Sequence, residues 1–434
     1  MAKFLITVWP FAGHYFPMTA IAHELRAHGH DVAFYTGAKI CPTLEGEGFT
    51  CFPFRQLDEQ HVADVLDNRT TFASMRHPLN TRNVMRRWIV ETFPGQIADL
   101  AQVLKQWPPD VILSETSMWS PAAVFHESHK LPVAVFSNTL GCTLPRTHAR
   151  KGAVRPTWGG RLRSRILGVA NDFAGAPFRN AINQARQKYS LPPLAVSINE
   201  QLGRMPLYML QSVPEFDYQR QDLPSSVHYI GPCVWNKPQT EPAPSWLGEV
   251  PHDQPWVHVS EGTINSQQPI VLRAAAQGLA NLPMHVIMTT GGNRDPESLG
   301  LGVIAPNVRV VRWVAHSDLL PQTDVFITTG GSGQVITALQ YGVPMVLIPT
   351  EWDKPANTQR VVDAGAGVRV NPSQCTPERL REAVEHVLKD PSFRQNAQRL
   401  QGIMAQYGGP RRATELLEQL LAHQPTISIA EGTY

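Results

Sequence analysis

Residues 325–357 read VFITTGGSGQVITALQYGVPMVLIPTEWDKPAN. The opening run, Val325 to Thr328, is apolar and β-branched, the kind of segment buried in a parallel sheet. Gly330, Gly331 and Gly333 follow at once, and then Val335, Ala338, Leu339 and Gly342 recur at helical spacing. A second apolar run at 343–348 closes the unit. The stretch therefore predicts strand, glycine-rich turn, helix and strand, a βαβ unit with parallel strands.

The same rhythm extends in both directions. Further strands are predicted at 256–259, 284–288, 308–311 and 368–370. A helix is predicted over 377–388, with Thr376 as N-cap, Pro377 at the first helical position and Leu380, Ala383, Val384 and Val387 as its apolar stripe. Near the start, a strand at 4–9 leads through a turn at 10–16 to a helix carrying Met18, Ile21, Ala22 and Leu25. Gly29 sits where a helix stops, and a strand follows at 31–35. A strand at 111–113, a helix across 122–129 and a strand at 133–136 repeat the pattern. Alternating strands and helices predict an α/β fold with doubly wound, mostly parallel sheets.

The chain has 434 residues, too many for one ordinary core. Two domains are expected, at 1–230 and 256–408. Between them, 231–255 holds Pro232, Pro238, Pro242, Pro244, Pro251 and Pro255 and reads as a linker. Residues 409–434 read as an amphipathic helix with Ala413, Leu416, Leu417, Leu420 and Leu421, followed by a loose tail. The helix is expected to pack back on the first domain.

Apolar residues make up 42% and charged residues 17%, a globular balance, and the formal net charge of +2 gives no field for nucleic acid. No stretch approaches the ~20 apolar residues of a transmembrane helix. The first apolar run is broken by Pro10 and Gly13 and shows no cleavage site, so a cytoplasmic protein is expected. The five cysteines, Cys41, Cys51, Cys142, Cys233 and Cys375, have no C-x-x-C spacing and read as free thiols.

Ligands of doubly wound sheets bind at the carboxyl ends of the strands. His14 follows the first strand and belongs to that rim, where a neutral imidazole could take a proton from a hydroxyl. Glu115 follows the strand at 111–113, at the same edge. It is a candidate partner for the other ring nitrogen, or else a solvated loop carboxylate. In the second half, the turn Thr329, Gly330, Gly331, Ser332, Gly333 and Gln334 offers backbone amides and a helix N-terminus to a diphosphate. No Gly-Lys-Ser/Thr follows, so it is not a Walker loop. Asp353, Lys354 and Asn357 supply donors and acceptors suited to sugar hydroxyls. Ser260 to Thr263 lies after another strand, where its hydroxyls and amides could serve the same phosphates. Trp313 could stack on a base or simply fill a core.

Together these segments resemble the family 1, UDP-glycosyltransferase-like enzymes of GT-B architecture, especially bacterial glycosyltransferases of antibiotics and other natural products. The likeness rests on Gly13-His14 after the first strand, the Ser-x-Gly-Thr at 260–263, the segment at 313–320 that looks like Trp-x-Pro-Gln, and the nucleotide-sugar signature at 329–357. It implies two facing Rossmann-like domains with a cleft between them. His14 would be the general base and Glu115 its partner, where many relatives have Asp. Trp313 would stack on uracil or thymine, with Val314 meeting the base through its backbone. Thr263, Ser332, Gly333 and Gln334 would hold the diphosphate, Asp353 and Lys354 the sugar, and Asn357 would lie near the ribose or phosphate. The implied reaction is transfer of a hexose from a UDP- or TDP-sugar to a small acceptor hydroxyl, with inversion and with neither metal nor other cofactor. Three departures stand out: Thr329 replaces a usual phosphate-contacting His, Gln334 a usual Thr or Ser, and His316 a usual Gln.

The acceptor is expected over 75–88 and 139–210 of the first half. The basic run Arg146, Arg150, Lys151, Arg155, Arg161, Arg163 and Arg165 surrounds Trp158 and reads as a solvated loop above the cleft. The competing function is a catalytically silent GT-B protein that binds the nucleotide-sugar and serves as partner or activator of another enzyme, a reading that the Thr329 departure supports. A dinucleotide oxidoreductase would need G-x-G-x-x-G after the first strand, where only Gly13 stands.

Overall fold

A computed structural model describes residues 1–62, 83–144, 176–218, 220, 222–235, 244–262, 269–291 and 294–423. Thr263, the basic run with Trp158 and the tail beyond 423 lie outside the described residues. The first half is built from β1 (Lys3–Thr7), α1 (Ala12–Ala27), β2 (Asp31–Thr36), α2 (Cys41–Gly46), β3 (Thr50–Pro53), α3 (Phe93–Gln106), β4 (Val111–Glu115), α4 (Trp119–His129), β5 (Val133–Ser137), β6 (Leu207–Leu210) and β7 (Val227–Tyr229). Its seven strands are ordered β3-β2-β1-β4-β5-β6-β7, and every pairing is parallel.

The second half contains β8 (Trp256–Ser260), α5 (Ile270–Gly278), β9 (His285–Thr289), β10 (Val308–Val311), β11 (Val325–Thr328), α6 (Ser332–Gln340), β12 (Met345–Leu347), α7 (Lys354–Asp363), β13 (Gly367–Arg369), α8 (Pro377–Lys389) and α9 (Pro391–Met404). Its six strands run β10-β9-β8-β11-β12-β13, again parallel throughout. This is the two-domain α/β arrangement of the GT-B fold.

The strands are apolar on both faces because both faces are covered. Leu5, Ala33, Ile112 and Val135 enter one core, while Phe4, Val32, Val111 and Phe136 enter the other. That division follows the two-residue alternation of a strand. In each sheet the order reverses once, between β1 and β4 in the first and between β8 and β11 in the second. These two switch points are where such folds hold ligands.

The chain crosses between the domains twice. It leaves the first after β7, and it returns through α10 (Pro410–Ala422), whose Ala413, Leu416 and Leu417 join the core of the first domain beside Met18 and Ile21. The crossings run side by side, and the Gly409 N–H donates to the Ile230 carbonyl at 2.7 Å.

Two expectations are corrected. Cys41 and Cys51 form a disulfide, because the start of α2 and edge strand β3 bring their Cα atoms to 5.6 Å. Cys142, Cys233 and Cys375 are free. The expected turn at 10–16 is shorter, since α1 begins at Ala12 and carries Pro17 inside it. That proline forfeits only the bond to the Gly13 carbonyl, one turn into a long helix.

Candidate active site

His14 lies in the first turn of α1, beside the first switch point. The register sets Thr7 of β1 against Ser114 of β4, and their hydroxyls are bonded at 2.7 Å. The next residue, Glu115, thereby reaches the ring, and His14 Nδ1 lies 3.1 Å from Glu115 Oε2. Glu115 is fully buried and His14 is 17% exposed, so the carboxylate is sealed in protein while the imidazole keeps part of its surface open. The other carboxylate oxygen accepts from Ser117 Oγ at 2.5 Å. A carboxylate only accepts, so Nδ1 is the donor in this contact and Nε2 lies on the opposite edge of the ring. Sequence reasoning missed Ser117; its one signal is a hydroxyl two residues beyond the acid.

Aromatic rings frame this imidazole. Phe11 meets it edge-on at 5.5 Å between centroids and Trp88 at 6.4 Å. Trp88 sits on a π-helical turn, Arg86–Val90, an irregularity frequent near functional sites. Trp352, from the loop before α7, crosses from the second domain to meet Trp88 at 5.8 Å. Its φ of 61° is a left-handed conformation, which costs a non-glycine residue on the order of 1–3 kcal/mol.

The second switch point carries the glycine turn. Gly330 has φ 85°, and a Cβ there would come within 2.7 Å of Thr358 Oγ1, so glycine is required. Gly331 is the N-cap of α6 and offers no side chain, which leaves the first-turn amides of Ser332, Gly333 and Gln334 uncapped. A Cβ on Gly333 would meet nothing within 4 Å. Open space, free amides and the positive helix end coincide here, the ingredients of an anion site.

Three of the candidate residues converge behind this turn. The Ser332 hydroxyl donates to Asp353, and the Asn357 amide donates to Asp353 Oδ2 at 2.8 Å, to Ser332 Oγ at 3.2 Å and to the Gly330 carbonyl at 3.1 Å. Asn357 is buried and fastens α7 to the turn. The remaining candidates face elsewhere. Thr329 is buried, and its hydroxyl donates to the Glu261 carbonyl at 3.0 Å. Gln334 folds inward, accepting from Thr328 Oγ1 at 2.7 Å and donating to the Ser260 carbonyl at 3.3 Å. Lys354 Nζ donates to Thr350 Oγ1 at 2.9 Å. Burial holds its ammonium below the ordinary lysine range, against the opposing pull of Glu351, Asp353 and Glu261.

At the far side of the same edge, Trp313 is 50% exposed and Val314 is buried. The Glu261–Arg294 pair, 3.2 Å apart, lies between these groups and was not anticipated. Glu261 also accepts from the Val271 N–H at 2.8 Å, while burial pushes its carboxyl above the usual range.

The chain is similar to 4'-demethylrebeccamycin synthase of Lentzea aerocolonigenes, with 32% identity over 97% of this chain and all of that one. It is a family 1 glycosyltransferase of GT-B architecture. Residues 275–421 of this glycosyltransferase match the family model described as erythromycin biosynthesis protein CIII-like, C-terminal domain. Among solved structures, the glycotransferase of kitacinnamycin superposes with a TM-score of 0.75 and 23% identity, covering 97% of this glycosyltransferase and 99% of that chain. Glycosyltransferase VinC in complex with DTDP superposes with a TM-score of 0.70 and 19% identity, covering 97% and 100%. No helix among the described residues is long and apolar enough to cross a membrane.

Proposed function

We propose that this glycosyltransferase moves a hexose from a TDP- or UDP-sugar to a hydroxyl of a small lipophilic natural product, inverting the anomeric centre, with His14 as general base. The observation that carries the reading is the His14–Glu115 pair at one switch point, held at 3.1 Å with Nε2 turned away from Glu115. The acceptor hydroxyl gives its proton to Nε2 as its oxygen attacks the anomeric carbon, and the bond from that carbon to the diphosphate oxygen breaks. Attack opposite the leaving group inverts the configuration. Buried Glu115 holds the tautomer and steadies the imidazolium that forms.

The nucleotide would span the second sheet edge from Trp313 to α6. Its base would lie on the exposed indole with the Val314 backbone alongside, and its diphosphate over the first-turn amides of Ser332, Gly333 and Gln334. Three strand spacings separate β10 from β11, roughly 14 Å, a span that suits an extended nucleoside diphosphate. The charge leaving with the diphosphate is met by those amides and the helix end rather than by a divalent ion. Asp353, braced by Asn357 and Ser332, is the candidate for the sugar hydroxyls, and Thr263 is retained as a diphosphate donor. The relatives' names support a natural-product acceptor, and the complex of VinC with DTDP supports a thymidine nucleotide as one donor handle.

The test is release of nucleotide from UDP- and TDP-sugars in the presence of an acceptor panel read by mass shift. Turnover by the wild type that falls at least about 100-fold in His14→Ala is expected. Undiminished turnover in that variant removes His14 as base. Binding of the nucleotide with no turnover on any acceptor favours the silent partner instead.

A further inference from the structure

Trp88 and Trp352 come from different domains and different elements, yet they meet beside the candidate base. With Phe11 and His14 they form a continuous set of rings. Phe11 lies 6.1 Å from Trp88 at an interplanar angle of 73°, and Trp88 lies 5.8 Å from Trp352 at 79°. Trp9, fully buried, backs the set at 5.7 Å from Trp88. The indole N–H groups of Trp9 and Trp88 are buried and have no acceptor. Buried donors are nearly always satisfied, so two orphans in one ring cluster point to a missing partner. Trp352 is held in a left-handed backbone conformation that a tryptophan rarely adopts, and strain of that kind collects at functional sites.

We infer that these rings form a slot beside His14 that takes a flat, polyaromatic acceptor bearing oxygen substituents, with Trp88 and Trp352 as the residues that determine this specificity. The inference rests on the reading of His14 as the base at the acceptor site. Phe11, His14 and Trp352 are only partly buried, and a further π-surface can join such rings edge-to-face or offset-stacked with complementary quadrupoles, which a puckered aliphatic surface cannot do. A carbonyl or phenol oxygen on such a ligand would give the orphaned Trp88 indole donor a partner. Trp352 immediately precedes Asp353, which is tied to Ser332 and Asn357. One loop therefore sets the acceptor wall and the sugar site, so the acceptor is gripped only when the two domains face each other as they do here.

The test is equilibrium binding, which needs no turnover. Full-length protein saturated with TDP is titrated with a dihydroxyanthraquinone and, separately, with a saturated macrolactone, by calorimetry. Wild type is expected to bind the anthraquinone more tightly, and W352A and W88L to weaken it by about tenfold. W352F should recover most of the affinity. TDP affinity and melting temperature serve as folding controls, and W352F remains the informative variant should W88L misfold. Anthraquinone binding unchanged in W352A, or a wild type that prefers the macrolactone, would overturn the slot. The transfer assay reads the other claim. Tryptophan-dependent binding without turnover keeps the slot and removes the transferase reading, whereas His14-dependent transfer with tryptophan-independent binding does the reverse.

Discussion

Arg360 of the second domain reaches Asp217 of the first, with Nη2 at 2.7 Å and Nε at 3.1 Å from the same carboxylate oxygen. Asp217 is buried, and its other oxygen accepts from the Cys142 N–H at 2.6 Å and the Tyr229 hydroxyl at 2.8 Å. A charge so placed is tolerated because four donors converge on it. Arg360→Ala is expected to cost about 3 kcal/mol, since it leaves that carboxylate buried without its cation. The measurement is thermal unfolding. A drop of several degrees, or a single transition splitting in two, is expected, and an unchanged melting curve would show that the pair does not join the domains.

Glu115→Gln keeps the shape of the acid but lets an amide donate to Nδ1, which favours the wrong tautomer of His14. A fall in kcat of about 10²–10⁴ with nucleotide affinity preserved is expected. Glu115→Asp should lose less. Steady-state kinetics with separate titration of TDP distinguishes this from a general collapse of the site.

Gly330 and Gly333 make a matched pair. Gly330→Ala places a Cβ against Thr358 in a positive-φ turn and should destabilise the fold by about 1–3 kcal/mol. Gly333→Ala should melt like wild type, because its Cβ enters open space. That space is where the diphosphate is proposed to lie, so this variant should raise the donor KM by about tenfold or more. A Gly333→Ala protein with normal donor KM would move the nucleotide elsewhere.

His258 is buried on β8, stacked on Phe326, and burial pushes its imidazole down to about 3, with His316 contributing further in the same direction. The unfolded chain takes up that proton near pH 6.5, whereas the folded one takes it up only far below. Stability is therefore complete above about pH 6.5 and falls as pH drops, by up to about 1.4 kcal/mol per pH unit from this group. His258→Phe should flatten the profile between pH 6.5 and 4.5 in chemical denaturation. An identical slope in the variant would assign the acid sensitivity to other groups.

Much of this was legible in the sequence because it is contiguous. The glycine turn after a β-branched run, and the apolar stripes of α1 and α8, are local patterns read within a few residues. The nearness of His14 and Glu115 was also readable, since one follows β1 across a short turn, the other ends β4, and parallel strands align their ends. Contacts that depend on which strands become neighbours were not. Trp352 could be seen beside Asp353, but nothing in its surroundings announces Trp88. The Cys41–Cys51 bridge has no motif, and only the α2–β3 corner makes it. Thr329, Gln334 and Lys354 could be set at the strand-to-helix junctions, but side-chain direction is decided by packing. Thr329 turns to Glu261, Gln334 to Ser260 and Lys354 to Thr350.

The return of the chain through α10 has a consequence for how the molecule can be divided. Cutting at the proline-rich connection would not yield two self-sufficient lobes, because Ala413, Leu416 and Leu417 would leave with the wrong piece and strip the first lobe of part of its interior. The two passages of backbone are also stitched together where Gly409 meets Ile230. They form one two-stranded junction, so a cut in the first passage alone leaves the lobes joined through the second.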